Sequence, residues 1–174
     1  MFKLFQVILV VLLVTISGVA QAQKNNMNPK RENFKLVLAV DGHSTFSQDV
    51  KHSPYLSESN TLKLYPSEKV FMEITQSNST ISSIKVVKEN KNPDKTIEVS
   101  FNQIVENQKH KGMMLKISNP FDINLKYSSK IFLMKTKQLV DTDVLPIQAK
   151  LSSYETWPDI IVYIELDKWE FVKN

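Results

Sequence analysis

Hydrophobic and polar residues alternate along most of this chain, and the alternation is cleanest between Met113 and Met134. Met113, Leu115 and Ile117 fall on one side of a short segment. A corner follows at Ser118-Asn119-Pro120-Phe121-Asp122. Ile123, Leu125, Tyr127, Ser129, Ile131 and Leu133 then share one face of a longer run, with Asn124, Lys126, Ser128 and Lys130 on the other. Side chains alternate across a strand, so a period of two predicts β-structure with one buried face. Phe132 and Met134 stand on the otherwise polar face and mark either a contact patch or a covered end of the sheet.

The same period recurs on both sides of this stretch. Phe34, Leu36, Leu38 and Val40 predict a first strand, closed by the turn pair Asp41-Gly42. Residues 43–60 are polar and read mostly as loop, with a short edge strand near Thr45. Leu62 and Leu64 lead up to Pro66; Val70, Met72 and Ile74 form the next face; Asn78-Ser79 turns the chain. A strand from Ile84 to Lys88 follows. Ile97, Val99 and Phe101 alternate in a strand that runs on toward Val105, before a basic turn at residues 107–112. Leu145, Ile147, Ala149 and Leu151 predict an edge strand, because Pro146 lacks a ladder donor.

The last strand is the most apolar. Ile160, Val162, Ile164 and Leu166 share a face, with Ile161 and Tyr163 opposite. The apolar parity then moves to Trp169 and Phe171, as a β-bulge near Asp167-Lys168 would cause. A strand apolar on both faces is central in its sheet or covered on its second face. No helical spacing is sustained beyond the N-terminal segment. About nine short strands with turns between them predict an all-β domain, a two-sheet β-sandwich of immunoglobulin-like topology over residues 34–174. Gly42 and Gly112 are the only glycines past residue 22, which disfavours a closed barrel.

The residues that carry the corner resemble a known one. Leu115 to Leu133, with Asn119-Pro120 between a strand and a long alternating strand, resembles the Asn-Pro corner of the water-stress/late-embryogenesis domain. The resemblance implies an immunoglobulin-like sandwich and no activity.

Composition adds an address. Met1 to Ala22 has a charged start at Lys3, an apolar stretch from Leu4 to Ala20 and an Ala20-Gln21-Ala22 cleavage site, the pattern of a secretory signal peptide. Cleavage after Ala22 predicts a secreted or periplasmic protein with no membrane span in the mature chain. A polar leader is expected over residues 23–33. The chain has no cysteine, so an exported domain must rely on packing alone, which fits a bacterial origin. Among 22 basic residues Arg31 is the one arginine, and it falls in the expected leader. Bidentate grips on phosphate favour arginine, so no nucleic-acid partner is expected.

Candidate chemistry is sparse. Asp41, His43, Asp49 and His52 lack the convergent spacing of a metal site, and Asp141-Thr142-Asp143 lacks the glycine and distal glutamate of a calcium loop. His110, between Lys109 and Lys111, reads as an exposed turn residue. No catalytic, phosphate-binding or dinucleotide motif occurs, so neither a cofactor nor enzyme activity is expected. Tyr154 and Trp157, in an aromatic segment read as a loop before the last strand, are candidate binding residues together with Phe132 and Met134. The alternative for Trp157 is a plug over the end of the core. The expected function is a non-enzymatic module binding a protein or surface-glycan partner. A barrel-like carrier of a small apolar ligand and a secreted hydrolase with paired carboxylates are the alternatives.

Overall fold

Alternation becomes strand along most of residues 29–173, the part of the chain that the computed structural model describes. The expected signal peptide, its cleavage site and residues 23–28 of the expected leader lie outside the described residues. Thirteen strands occur within them: β1 (Lys30–Arg31), β2 (Phe34–Ala39), β3 (Thr45–Val50), β4 (Ser53–Pro54), β5 (Leu62–Leu64), β6 (Glu68–Ser77), β7 (Thr80–Val87), β8 (Thr96–Glu106), β9 (Lys109–Ser118), β10 (Asn124–Leu133), β11 (Gln138–Thr142), β12 (Ser152–Trp157) and β13 (Ile161–Val172). A single 3-10 turn, Pro93–Lys95, precedes β8. The count exceeds the expected nine because β1, β3, β4, β11 and β12 fall in segments read as leader or loop, while residues 145–151 form no strand.

Two larger antiparallel sheets, ordered β12-β9-β8-β6-β7 and β11-β10-β13-β5, share one core, consistent with a β-sandwich. The five-stranded sheet gives Val70, Met72, Ile97, Val99, Phe101, Met113, Leu115 and Ile117 to that core. The four-stranded sheet gives Leu62, Leu64, Leu125, Tyr127, Ile131, Ile164 and Leu166. A second cluster lies outside the sandwich. Leu36, Leu38 and Val50 of the β2–β3 hairpin bury Val162, with Phe34, Phe46, Tyr65, Phe132, Met134, Ile160 and Tyr163 packed around them. The hairpin thus covers the second apolar face of β13, which is also central in its sheet between β10 and β5.

The Asn119-Pro120 corner carries the chain from one sheet to the other, from β9 to β10. Asn119 is buried and holds the corner through its side chain. Its Nδ2 donates to the carbonyls of Ile123, Ile147 and Gln148 at 2.9, 3.1 and 3.1 Å. Its Oδ1 accepts the Phe121 N–H at 3.0 Å. A short amide can thus replace ladder partners where the backbone leaves both sheets.

The last strand contains the expected bulge. Its register against β10 shifts between Lys126 and Ser128, Lys168 takes φ +51°, and Trp169 returns to the core. A second shift, between Phe132 and Leu133, corrects the expected facing upstream. Val162 is the unmatched residue there, so Ile161 faces the core with Ile164, while Ile160, Val162 and Tyr163 meet the hairpin.

Four expectations are revised. Leu145 to Leu151 is not a strand: Leu145 and Leu151 are 76% and 54% exposed, and Ile147 alone bridges to Leu125. The edge strand is β12, so Tyr154 and Trp157 sit on a strand and not in a loop. Residues 45–50 form a full strand rather than mostly loop, paired to β2 along its length. The expected leader does not extend through Arg31, which lies in β1, is 2% exposed and has its guanidinium between Tyr55 and Tyr65. Arg31 Nε and Nη2 donate to the two oxygens of Glu68 at 2.9 and 3.2 Å. Nη1 donates to Ser53 Oγ and the Pro54 carbonyl, and Nη2 to the Lys63 carbonyl at 2.7 Å. Every edge of the fork is used, which is why arginine stands here in a lysine-rich chain.

Candidate functional site

A groove of about 340 Å³ opens at the end of the sandwich away from the Asn119 corner. One wall is the β10–β11 turn, with Leu133, Met134 and Lys135; the other is the β12–β13 connection, with Pro158, Asp159 and Ile160. His110, near the start of β9, completes it. The walls are joined by the Met134 N–H, which donates to the Ile160 carbonyl at 2.9 Å. The β10–β11 turn closes with the Lys137 N–H on the Leu133 carbonyl at 2.9 Å, and Lys137 adopts φ +54°.

His110 fixes the second wall. Its Nε2 lies 2.9 Å from the Pro158 carbonyl, which only accepts, so Nε2 carries the proton. Its Nδ1 lies 2.9 Å from Gln103 Nε2. Gln103 is oriented by β2: the Ala39 N–H donates to Gln103 Oε1 at 3.0 Å, and Gln103 Nε2 donates to the Ala39 carbonyl at 2.9 Å. The Gln103 amide therefore donates to His110 Nδ1, and the ring is the neutral Nε2–H tautomer. His110 is half-buried in a strand, a correction to its reading as an exposed turn residue. The two-residue turn is Asn107-Gln108, with φ +50° and +62°.

The four residues singled out by sequence part company here. Met134 lines the groove and also packs against the hairpin cluster. Phe132 lies under the hairpin, stacked on Tyr163 with ring centroids 4.8 Å apart and 12° between planes. Trp157 packs against the sandwich core, and its Nε1 donates to Thr142 Oγ1 at 3.1 Å across to β11. It caps the core and delivers Pro158 to the groove. Tyr154 points outward from β12, 58% exposed, with Lys116 Nζ 5.7 Å from its ring. Gly112 matters through what passes it: a Cβ there would sit 3.1 Å from the Trp157 carbonyl, so the backbone leading to Pro158 needs that gap.

A larger and more polar cleft, about 790 Å³, lies at the corner end, beside Gln76, Asp94, Phe121, Asp122, Asn124 and Lys150. Its charges and amides largely serve the corner itself. Lys150 Nζ donates to the Pro120 carbonyl and pairs with Asp122 at 3.3 Å, while Asn124 Oδ1 accepts the Ala149 N–H. The Met134 groove combines apolar walls with few polar groups, the usual character of a recognition site.

Titratable groups elsewhere are shifted by their surroundings, Asp41, Tyr163 and Tyr127 among them. Asp41 Oδ1 accepts from the N–H of His43, the hydroxyl of Ser44 and the N–H of Ser44. These bonds, the His43 N–H first, bring its carboxyl down to about 2. Burial pushes the Tyr163 phenol up, opposed by Lys63, whose Nζ is 4.0 Å from the ring. Burial also pushes the Tyr127 phenol up, reinforced by the Glu155 carboxylate. Among the described residues no three His, Cys, Asp or Glu side chains gather into a metal-sized cluster. No described helix is long and apolar enough to cross a membrane.

No family model matches the chain, and no curated protein or solved structure matches it. Sequence reasoning missed His110 and Gln103. Gln103 did leave a signal: it continues the core-facing alternation Ile97, Val99, Phe101 as a polar residue. His110 left none, because a register shift between Ile104 and Val105 separates it from the Met113–Ile117 alternation.

Proposed function

We propose that this protein is an exported, non-enzymatic β-sandwich of immunoglobulin-like topology, secreted or periplasmic, which binds another protein at the Met134 groove. One observation carries the reading: an apolar groove with a methionine wall is fixed by the main-chain bond from Met134 to Ile160 and by the His110 ring on the Pro158 carbonyl. Methionine adapts to irregular apolar surfaces, and a pocket of this volume suits one or two apolar side chains of a partner segment. Lys135 and Asp159 supply a charged rim that orients what enters. A surface glycan is the weaker occupant, because no aromatic lines the groove and Trp157, beside Pro158 in the chain, is committed to the core and to Thr142.

A pull-down from envelope and medium fractions tests the proposal, using folded wild-type bait beside Met134→Asp and Tyr154→Ala. The expected result is a specific partner retained by wild type and Tyr154→Ala and lost by at least about tenfold with Met134→Asp. Near-ultraviolet circular dichroism establishes that each bait is folded. Equal capture by all three baits, or none by folded wild type, contradicts it.

A further inference from the structure

The bonds around His110 form a chain in which every proton is assigned. Ala39, on the edge of β2 away from β3, orients the Gln103 amide through its N–H and its carbonyl. That amide spends its remaining hydrogen on His110 Nδ1, and His110 Nε2–H reaches Pro158. The Gln103 side chain takes the place of a neighbouring strand for Ala39. The arrangement works only while Nδ1 is an acceptor.

We propose that His110 is a proton-operated latch: protonating its ring frees the β2 edge at Ala39 from Gln103. An imidazolium has two donors and no acceptor. Nδ1–H would then face an N–H of Gln103. Turning the amide over gives Nδ1–H an oxygen, but it sets Gln103 Nε2 against the Ala39 N–H and strips the Ala39 carbonyl of its donor. A charge-assisted bond is roughly twice as strong as a neutral one, and the turn also removes a donor–donor clash. The amide therefore follows the histidine and Ala39 is released. The hairpin stays on the sandwich through Leu36, Leu38 and Val50, and Val40 and Asp41 stay on β9 through the His110 backbone N–H and the bridge to Lys109, so the release is confined to Ala39.

Charged groups reach the ring from several elements. Its own strand brings Lys109 and Lys111, and Lys111 is paired with Glu106 of β8 at 3.2 Å. The β2–β3 turn brings His43 and Asp41, whose backbone pairs with that of Lys109 and whose carboxylate accepts from His43 and Ser44. Lys135 and Asp159 come from the two groove walls. Histidine is the side chain that most readily gains charge in mildly acidic solution, so acidification operates the latch. The latch does not depend on the groove having a partner.

The test is nuclear magnetic resonance of the whole folded chain from about pH 8 to about pH 5. His110 ring shifts report its protonation, and exchange protection of the Ala39 amide, corrected for the intrinsic pH dependence of exchange, reports the latch. Ala39 protection is expected to fall about tenfold in step with the His110 ring. In His110→Asn, which keeps an acceptor toward Gln103 and cannot become cationic, protection should stay at its neutral-pH level throughout. Gln103→Ala should show the low protection at every pH. Constant Ala39 protection while His110 titrates overturns the proposal. So does a pH-dependent loss that persists in His110→Asn, which would assign the effect to His43 or His52.

Discussion

Arg31 shows how much one side chain can decide here. Its guanidinium satisfies Glu68, Ser53, Pro54 and Lys63 at once, and it ties the N-terminal strand to the sandwich. Removing one partner of a buried pair leaves an uncompensated charge. Arg31→Met should therefore lower unfolding free energy by about 3–5 kcal/mol, read from urea midpoints. The double replacement Arg31→Met with Glu68→Leu should recover part of that loss, because it removes the unpaired carboxylate while the Pro54 and Lys63 carbonyls and the Tyr65 N–H still lose their partners; a double variant no better than the single one contradicts this view of the pair. Asp41 makes a pH-linked claim. Its folded carboxyl lies near 2 against an ordinary 3.8, so the unfolded chain binds the proton more readily. Its contribution is complete above the ordinary value and is lost as pH falls toward about 2. A carboxyl-carbon titration should find the Asp41 midpoint near 2, and a midpoint near 4 would refute the assigned bonds. The sequence showed Asp41-Gly42 as a turn because a short acceptor beside a glycine closes it locally, and Gly42 takes φ +95°. It hid Arg31, because burial there depends on Glu68, Tyr55 and Tyr65, remote in the chain.

At the level of elements, alternation located strands well where one face is buried and the other wet. β6, β8, β9 and β10 were all visible in this way. The bulge at Lys168 was visible too, because a parity change in apolar residues is a local signal. Val162 was not: both faces of β13 are apolar there, so a shift by one leaves no trace in the pattern. Residues 145–151 misled for the complementary reason. Their alternation is real, yet Leu145 and Leu151 face solvent and only Ile147 is held. Turns carry a cost that the scarcity of glycine imposes. Asn107 and Gln108 both adopt positive φ in the β8–β9 hairpin, where Asn-Gly is the favoured pair. Gln108→Gly should raise stability by roughly 0.5–1 kcal/mol, seen as a higher melting temperature with unchanged fold. A lower melting temperature would show that Gln108 makes a contribution beyond its backbone.

At the scale of the molecule, two apolar clusters divide the work. One fills the sandwich, and the other fastens the β2–β3 hairpin over Tyr163 and Phe132. The candidate site forms where these layers end, between the β10–β11 turn and the β12–β13 connection, beside His110. The sequence could offer Met134 because it broke the polar face of its strand. It could not bring Met134 to Pro158 and Ile160, since that meeting depends on strand order. The same order separates Tyr154 from the groove and commits Trp157 to the core. The central claim, that this end of the sandwich is where a partner docks, is tested most directly by site-specific photo-cross-linking in the producing cell. A photoreactive residue at position 134 should yield one discrete cross-linked adduct, while the same residue at position 154 or at position 122 beside the corner cleft yields none. An adduct from position 154 or 122 with none from 134 would contradict the account.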